Sequence, residues 1–141
     1  MRELMTKQLR RDEGVVDHAY TDSEGYLTIG VGRLIDKRKG GRLTDVEMDF
    51  LLANDIAEKE AELEARVSFY NSLSEARRGV LLNMAFNLGV GGLLAFKNTL
   101  KLVELGMYEK ASVEMLDSKW ARQVGRRATR LSKQMATDEW Q

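Results

Sequence analysis

A short stretch from Glu13 to Arg33, punctuated by glycines, constrains the fold of this chain more than any other. Apolar residues before it recur at helical spacing, and Gly14 is a natural place for that helix to end. Within the stretch, Gly25 marks a turn between two runs, and the second run is β-branched and aromatic. The pattern therefore predicts a helix over residues 2–12, followed by a β-hairpin with strands at 19–22 and 26–31.

A long polar helix is the second constraint on the fold. Thr44 and Glu47 have the spacing of a capping box, so we predict a helix over residues 45–66. Its apolar stripe is thin, and a helix that is polar nearly all round often bridges two lobes through solvent. The order of elements indicates an α+β fold, mainly α, with a small β-hairpin lobe, a long connecting helix and a helical C-terminal lobe.

The residues after the long helix have the patterns of helices alone. We predict a buried, strongly apolar helix that begins at Ser72 or Ser74 and ends at Gly89, with a break at Gly91 and Gly92. Short helices should follow over residues 97–105, 108–116 and 126–135.

The predicted elements indicate one domain over residues 1–141. Residues 14–66 form its hairpin lobe and connecting helix, and residues 67–141 form its helical lobe. We expect the helix over residues 1–13 to pack back onto the helical lobe.

The composition excludes several kinds of site. The chain has no cysteine and a single histidine, so disulfides, thiolate metal sites and histidine-rich metal sites are excluded, and we expect neither a metal nor a cofactor. Basic and acidic residues both number 22, so net charge predicts no partner. Residues 118–137, the basic stretch, carry basic residues and no acidic one, which fits either contact with an anionic envelope or a solvated helix face.

Two carboxyl groups in the opening stretch suit one kind of chemistry. Glycoside hydrolysis commonly uses a protonated carboxyl group as acid and an ionised one as base or nucleophile. Glu13 lies at a helix C-terminus, where the helix dipole disfavours the ionised form, and Asp22 lies beside a solvated turn. The Thr28 hydroxyl could hold a water near them. The pair alone is weak evidence, because the chain contains 22 carboxylates.

The order of motifs makes the pattern specific. Asp12-Glu13-Gly14, followed over residues 20–32 by Tyr-x-Asp-x-Glu-Gly-Tyr-x-Thr-Ile-Gly-x-Gly, closely resembles the active-site region of the phage lysozyme (endolysin) family, glycoside hydrolase family 24. Further matches in the family's order fall at residues 74–78, 83–89, 96–100, 120 and 127–130. The resemblance covers nearly the whole chain and implies a two-lobed lysozyme-like fold.

This resemblance implies a muramidase that hydrolyses the β-1,4 bond between N-acetylmuramic acid and N-acetylglucosamine in peptidoglycan. It implies that Glu13 is the general acid, that Asp22 activates water and that Thr28 lies near that water. It also implies that Arg127 pairs with Glu13, which would favour the ionised form and oppose the helix dipole. Positions matching the saccharide cleft of the family are Leu34, Phe86, Asn98 and Thr99.

One position departs from the family pattern. Arg33 stands where the family often has a histidine that pairs with an aspartate on the long helix, and Asp55 falls at the matching place. We predict an Arg33–Asp55 ion pair, which would be less sensitive to mild acid than a pair with histidine. The loop over residues 34–44 is also shorter than in the longest relatives, which implies a smaller hairpin lobe.

The function implied is that of an endolysin, with peptidoglycan as its substrate. The alternative within the same fold is a catalytically inactive peptidoglycan-binding module, and a nucleic-acid binder is disfavoured by the zero net charge. No apolar run reaches signal-peptide or bilayer-spanning length, so we expect a monomer in the host cytoplasm that reaches the wall through a separate membrane pore. No stable protein partner is expected.

Overall fold

The computed structural model describes residues 1–35 and 41–141. The chain divides into two compact units, Met1–Leu51 and Leu52–Gln141. The described residues form seven α-helices and one three-stranded antiparallel sheet, which confirms the predicted α+β, mainly α, lysozyme-like fold. The predicted lobe boundaries and the packing of the first helix stay predictions.

The first unit contains a helix and a small sheet. Helix α1 spans Arg2–Glu13, and strands β1, β2 and β3 span Val16–Thr21, Leu27–Gly30 and Arg33–Leu34. The strands lie in the order β1-β2-β3, so the predicted hairpin is confirmed. Strand β3 was not predicted, because two residues are too few to show a period-two pattern.

The long helix α2 spans Asp45–Arg66, as predicted. The capping box at its start is present: the Thr44 backbone N–H donates to Glu47 Oε2 at 2.8 Å, and the Glu47 N–H donates to Thr44 Oγ1 at 3.3 Å. These bonds satisfy backbone donors that the first helical turn leaves without intrahelical partners. Of the loop over residues 34–44, residues 36–40 lie outside the described part of the chain.

The second unit is built around helix α3, which spans Glu75–Leu94. A short 3-10 turn at Tyr70–Ser72 precedes it, and Ser74 caps it by accepting the Arg77 N–H. Four apolar residues of its first segment are fully buried, which confirms the predicted central helix: Val80, Leu81, Met84 and Ala85. Helices α4 to α7 surround it and span Lys97–Glu104, Tyr108–Leu116, Lys119–Val124 and Arg126–Thr137.

The predicted break at Gly91 and Gly92 is wrong. The chain leaves helical geometry at Gly89, whose φ of 75° lies in the left-handed region, and both later glycines are helical again. The prediction that the apolar helix ends at Gly89 therefore holds for its first segment. A second short helical segment follows directly and carries the buried Val90 and Leu93.

The residues after α7 are tied to the start of α3. Ser74 Oγ donates to Asp138 Oδ1, and Arg77 forms an ion pair with Asp138 at 3.2 Å. Gln134 Nε2 donates to the carbonyl of Ala76 at 2.7 Å. These contacts join positions about 60 residues apart in sequence and hold the residues around the end of α7 against the start of α3.

Helix length and apolar content can be compared with those of a membrane span. Within residues 1–35 and 41–141, no single helix is long and apolar enough to cross a bilayer. One pair, α3 with α4, meets the length and composition when counted together, and the two helices are bent by 99° at the break between them.

Candidate active site

Glu13 is the last residue of α1, as expected from the sequence. Gly14 follows it with a φ of 78°, a backbone conformation that ends the helix there. The Glu13 side chain is exposed, and its carboxylate lies against the turn between β2 and β3. A Cβ atom built on Gly32 would lie 2.8 Å from Glu13 Oε2, so the turn backbone directly adjoins the carboxylate.

Asp22 lies in the loop between β1 and β2 and holds that loop together. Its Oδ1 accepts backbone N–H groups from Glu24 at 2.9 Å and from Tyr26 at 2.8 Å. The backbone adds a bond from the Asp22 N–H to the Tyr26 carbonyl at 2.8 Å. Within the described residues Oδ2 accepts no hydrogen bond, so this oxygen is available to a water or a substrate.

Thr28 lies on the central strand and is 2% exposed. Its Oγ1 donates to the Tyr26 carbonyl at 3.1 Å, so the hydroxyl proton is already used and the oxygen remains as an acceptor. The strand register pairs Thr28 with Tyr20 on β1 and with Leu34 on β3. The sheet therefore brings together three predicted site residues: Asp22, Thr28 and Leu34.

Arg33 has a partner that the sequence analysis did not assign. Its Nη2 lies 2.7 Å from Glu47 Oε1, and its Nη1 donates to the Arg42 carbonyl at 3.4 Å. The hydrogen bond from the Thr44 backbone, with further help from the Arg33 charge, lowers the pKa of Glu47. Asp55 is an exposed residue of the second unit, so the Arg33–Asp55 pair stays a prediction.

Arg127 is held by one asparagine of α3. Its Nε donates to Asn83 Oδ1 at 2.8 Å, and its Nη2 donates to the Asn83 carbonyl at 3.1 Å. These two bonds fix the direction of the guanidinium on the surface of the second unit. Because Glu13 belongs to the first unit, the predicted pair between Arg127 and Glu13 stays a prediction.

The predicted saccharide contacts of the second unit fall into two depressions. Phe86, 42% exposed, lines a cavity of about 310 Å³ that Arg127 also lines. Asn98 and Thr99 line a separate cavity of about 520 Å³. Thr99 is only 3% exposed, whereas Asn98 is exposed and donates to Glu114 Oε1 at 3.4 Å. The structure therefore brings Asn98 and Thr99 together and places Phe86 elsewhere.

Comparison with known proteins decides the family. The family model for phage lysozymes matches residues 10–137. The chain belongs to the phage lysozyme family. This family is one of glycosidases, so the predicted family and enzyme class are confirmed. The matched range includes the helix end, the hairpin and the helical second unit described above.

Several relatives of this phage lysozyme family member differ greatly in length. The chain is 30% identical over 149 residues to the probable T4-type lysozyme 1 of Dictyostelium discoideum, covering 87% of this chain and 88% of the relative. It is 31% identical over 153 residues to the pre-baseplate central spike protein Gp5 of Enterobacteria phage T4, covering 91% of this chain but 27% of that relative. It is 26% identical over 133 residues to the peptidoglycan hydrolase gp36 of Pseudomonas phage phiKMV, of which it spans 15%.

Sequence reasoning missed three residues at or near the predicted site. Gly32 entered the sequence analysis only as part of the motif over residues 20–32, and its contact with Glu13 requires the fold. Glu47 had been assigned to the capping box alone, although a carboxylate has a second oxygen for Arg33. Asn83 is an exposed position of α3, and no sequence signal links it to Arg127, 44 residues later.

Proposed function

We propose that this chain is an endolysin that hydrolyses the β-1,4 bonds between N-acetylmuramic acid and N-acetylglucosamine in bacterial peptidoglycan. Family membership supports a glycosidase, and the name of one relative, a peptidoglycan hydrolase, supports the polymer. The other relatives carry the names of a T4-type lysozyme and a phage spike protein.

One observation carries the assignment of catalytic roles. The backbone of Tyr26 ties Asp22 to Thr28, because its N–H donates to Asp22 Oδ1 and its carbonyl accepts from Thr28 Oγ1. Both side chains are thereby held by the backbone of one residue, and each can still accept a hydrogen bond, at Asp22 Oδ2 and at Thr28 Oγ1. A water between them would donate one proton to Asp22 Oδ2 and the other to Thr28 Oγ1.

The proposed reaction uses Glu13 as proton donor and the water held by Asp22 and Thr28 as nucleophile. Glu13, in its protonated form, donates its proton to the glycosidic oxygen as the bond from that oxygen to the anomeric carbon breaks. The oriented water attacks the anomeric carbon from the opposite face, and its proton passes to ionised Asp22. The product has a free reducing end, and attack from the opposite face inverts the anomeric configuration. Leu34, Phe86, Asn98 and Thr99 are proposed to contact the saccharide, with Arg127 supporting Glu13.

Product analysis on purified peptidoglycan tests the proposal. We expect new reducing N-acetylmuramic acid ends, with one water added for each bond cleaved. The variant Glu13→Gln should lose this activity, whereas Glu3→Gln, which makes the same change on an exposed position of α1, should retain it. A 1,6-anhydro product would instead indicate a transglycosylase, which needs no water-activating Asp22, and the proposed roles would then be wrong.

A catalytically inactive binding module is the alternative. The spike relative favours it, because that protein is named as a pre-baseplate central spike protein and not as a lysozyme, and this chain spans 27% of its length. An inactive module would bind purified walls and release no fragments. Equal binding and equal absence of fragments for the parent and for Glu13→Gln would establish this alternative.

We further propose that the enzyme acts from inside the host, on a wall that it reaches through a separate membrane pore. Cells that express the chain should remain intact until their inner membrane is permeabilised, and should then lyse. Lysis without permeabilisation would contradict this route. The Glu13→Gln variant is the matched control, because it should fail to lyse permeabilised cells.

A further inference from the structure

We infer that Gly32 is a positioning residue for Glu13: its lack of a side chain allows the proposed acid to rest against the β2–β3 turn. The inference rests on the proposed function, and it goes further by naming a residue that sets where the acidic proton lies. Gly32 acts through Glu13 and is not itself a catalytic residue.

The first support is distance. A Cβ on Gly32 would lie 2.8 Å from Oε2, 3.3 Å from Cδ and 3.5 Å from Cβ of Glu13. Ordinary van der Waals contact begins near 3.4 Å, so the carboxylate oxygen would have to move by at least about 0.6 Å. Glutamate is flexible, so the side chain can make this movement. A methyl group at position 32 should therefore displace the acid and leave the fold intact.

The second support is the sheet on which the turn is mounted. Gly32 follows β2, which carries Thr28, and precedes β3, whose Arg33 pairs with Ile29 across the ladder. The same short sheet therefore holds the water-side residue and the surface against which Glu13 rests. A proton donor supported in this way keeps a defined position relative to Thr28, and catalysis depends steeply on such positions.

Gly30, the last residue of β2, provides a control two positions before Gly32. Its φ is 70°, compared with 67° for Gly32, so an alanine at either position takes on a similarly unfavourable positive φ. A Cβ on Gly30, however, meets no atom within 4 Å. The two alanine variants therefore share the backbone cost and differ in the contact with Glu13.

The test compares Gly32→Ala with Gly30→Ala in the whole chain. Hydrolysis of purified peptidoglycan should show kcat lowered about 10- to 100-fold for Gly32→Ala with KM unchanged, because the displaced group acts only in the transition state. Gly30→Ala should keep most of its kcat. An independent readout is the ¹³C resonance of the Glu13 carboxyl carbon, assigned by its loss in Glu13→Gln. This resonance should move in Gly32→Ala and stay in place in Gly30→Ala.

Each other outcome overturns the inference. Equal losses of kcat in the two variants would assign the effect to the turn backbone, and an unmoved resonance in Gly32→Ala would remove the contact. Full activity of Gly32→Ala would overturn the inference while the proposed function stands, whereas an inactive parent would mean that the proposed function itself fails. Should Gly32→Ala not fold, adding Glu13→Ala must restore folding if the methyl group acts on Glu13, and failure to restore it overturns the inference.

Discussion

Asp22 has two separable tasks in this structure, and two substitutions should distinguish them. Its Oδ1 closes the loop by accepting two backbone N–H groups, and its Oδ2 is proposed to take a proton from water. Asparagine retains an oxygen that can occupy the Oδ1 position but offers an amide NH₂ in place of Oδ2. Asp22→Asn should therefore keep the loop and lose the base, whereas Asp22→Ala should lose both.

The size of the loop effect follows from the burial of the two bonds. The bond from Glu24 is exposed, so water replaces much of it, and the bond from Tyr26 is partly buried. With net values of about 0.5 and 1.5 kcal/mol, the two bonds contribute about 2 kcal/mol together. Hydrogen exchange of the Tyr26 amide measures this locally, and exchange should be about 30-fold faster in Asp22→Ala, since about 1.4 kcal/mol is tenfold.

The catalytic effect is measured on the same variants. Asp22→Asn should leave exchange of the Tyr26 amide near that of the parent and lower the rate of peptidoglycan hydrolysis about 10²- to 10⁴-fold. Asp17→Asn, at an exposed position of β1, controls for the loss of one negative charge. Faster amide exchange in Asp22→Asn would refute the hydrogen-bond reasoning, and unchanged hydrolysis in Asp22→Asn would refute the role as base.

Three further predictions concern charge. The pKa of Glu47 is lowered, so its contribution to stability is present at neutral pH and is lost as pH falls below about 4.5. In Glu47→Gln, the free energy of unfolding in urea should therefore fall less steeply in this acid range than in the parent. An equal fall with pH in the two proteins would contradict this prediction. Burial, with a smaller contribution from Glu60, raises the pKa of Tyr70 to about 12. The free energy of unfolding of the parent should therefore fall between pH 10 and 12 relative to that of Tyr70→Phe. Equal falls in the two proteins would show that ionisation of Tyr70 is not responsible. If the basic stretch docks to the envelope, changing three of its exposed residues to glutamine should weaken binding to walls and remove the salt dependence of that binding. These three residues are Arg122, Arg126 and Lys133. Unchanged, salt-insensitive binding would contradict docking by the basic stretch.

Local signals predicted much of the fold. The predicted bounds of α2 and α5 match the structure, and for α2 the capping box of Thr44 and Glu47 marks where the helix begins. The end of the first helical segment at Gly89 was predicted, but the further break at Gly91 and Gly92 was wrong, because adjacent glycines suggest a turn although both are helical here. Strand β3 was missed because its two residues take their conformation from pairing with β2.

The site was less accessible from sequence, because its geometry depends on long-range contacts. Glu13, Asp22 and Thr28 were predicted as catalytic residues from their spacing and from resemblance. Their roles are tested by the Glu13→Gln and Asp22→Asn variants. The partner of Arg33 could not be predicted, because the glutamate it contacts already had a local explanation in the capping box. The bonds between Arg127 and Asn83 join residues 44 apart in sequence, for which no periodic pattern exists.

The contact between Ser74 and Asp138 has a consequence for the order of folding. The two residues are 64 positions apart, so a chain growing from its N-terminus presents the start of α3 long before the group that ties it down. Bringing together residues so far apart costs more chain entropy than forming a contact between neighbours in sequence, so such contacts slow folding. The helices of the second unit can form early, whereas the ring of contacts through Gln134 and Asp138 is completed only when residues 134–138 have emerged.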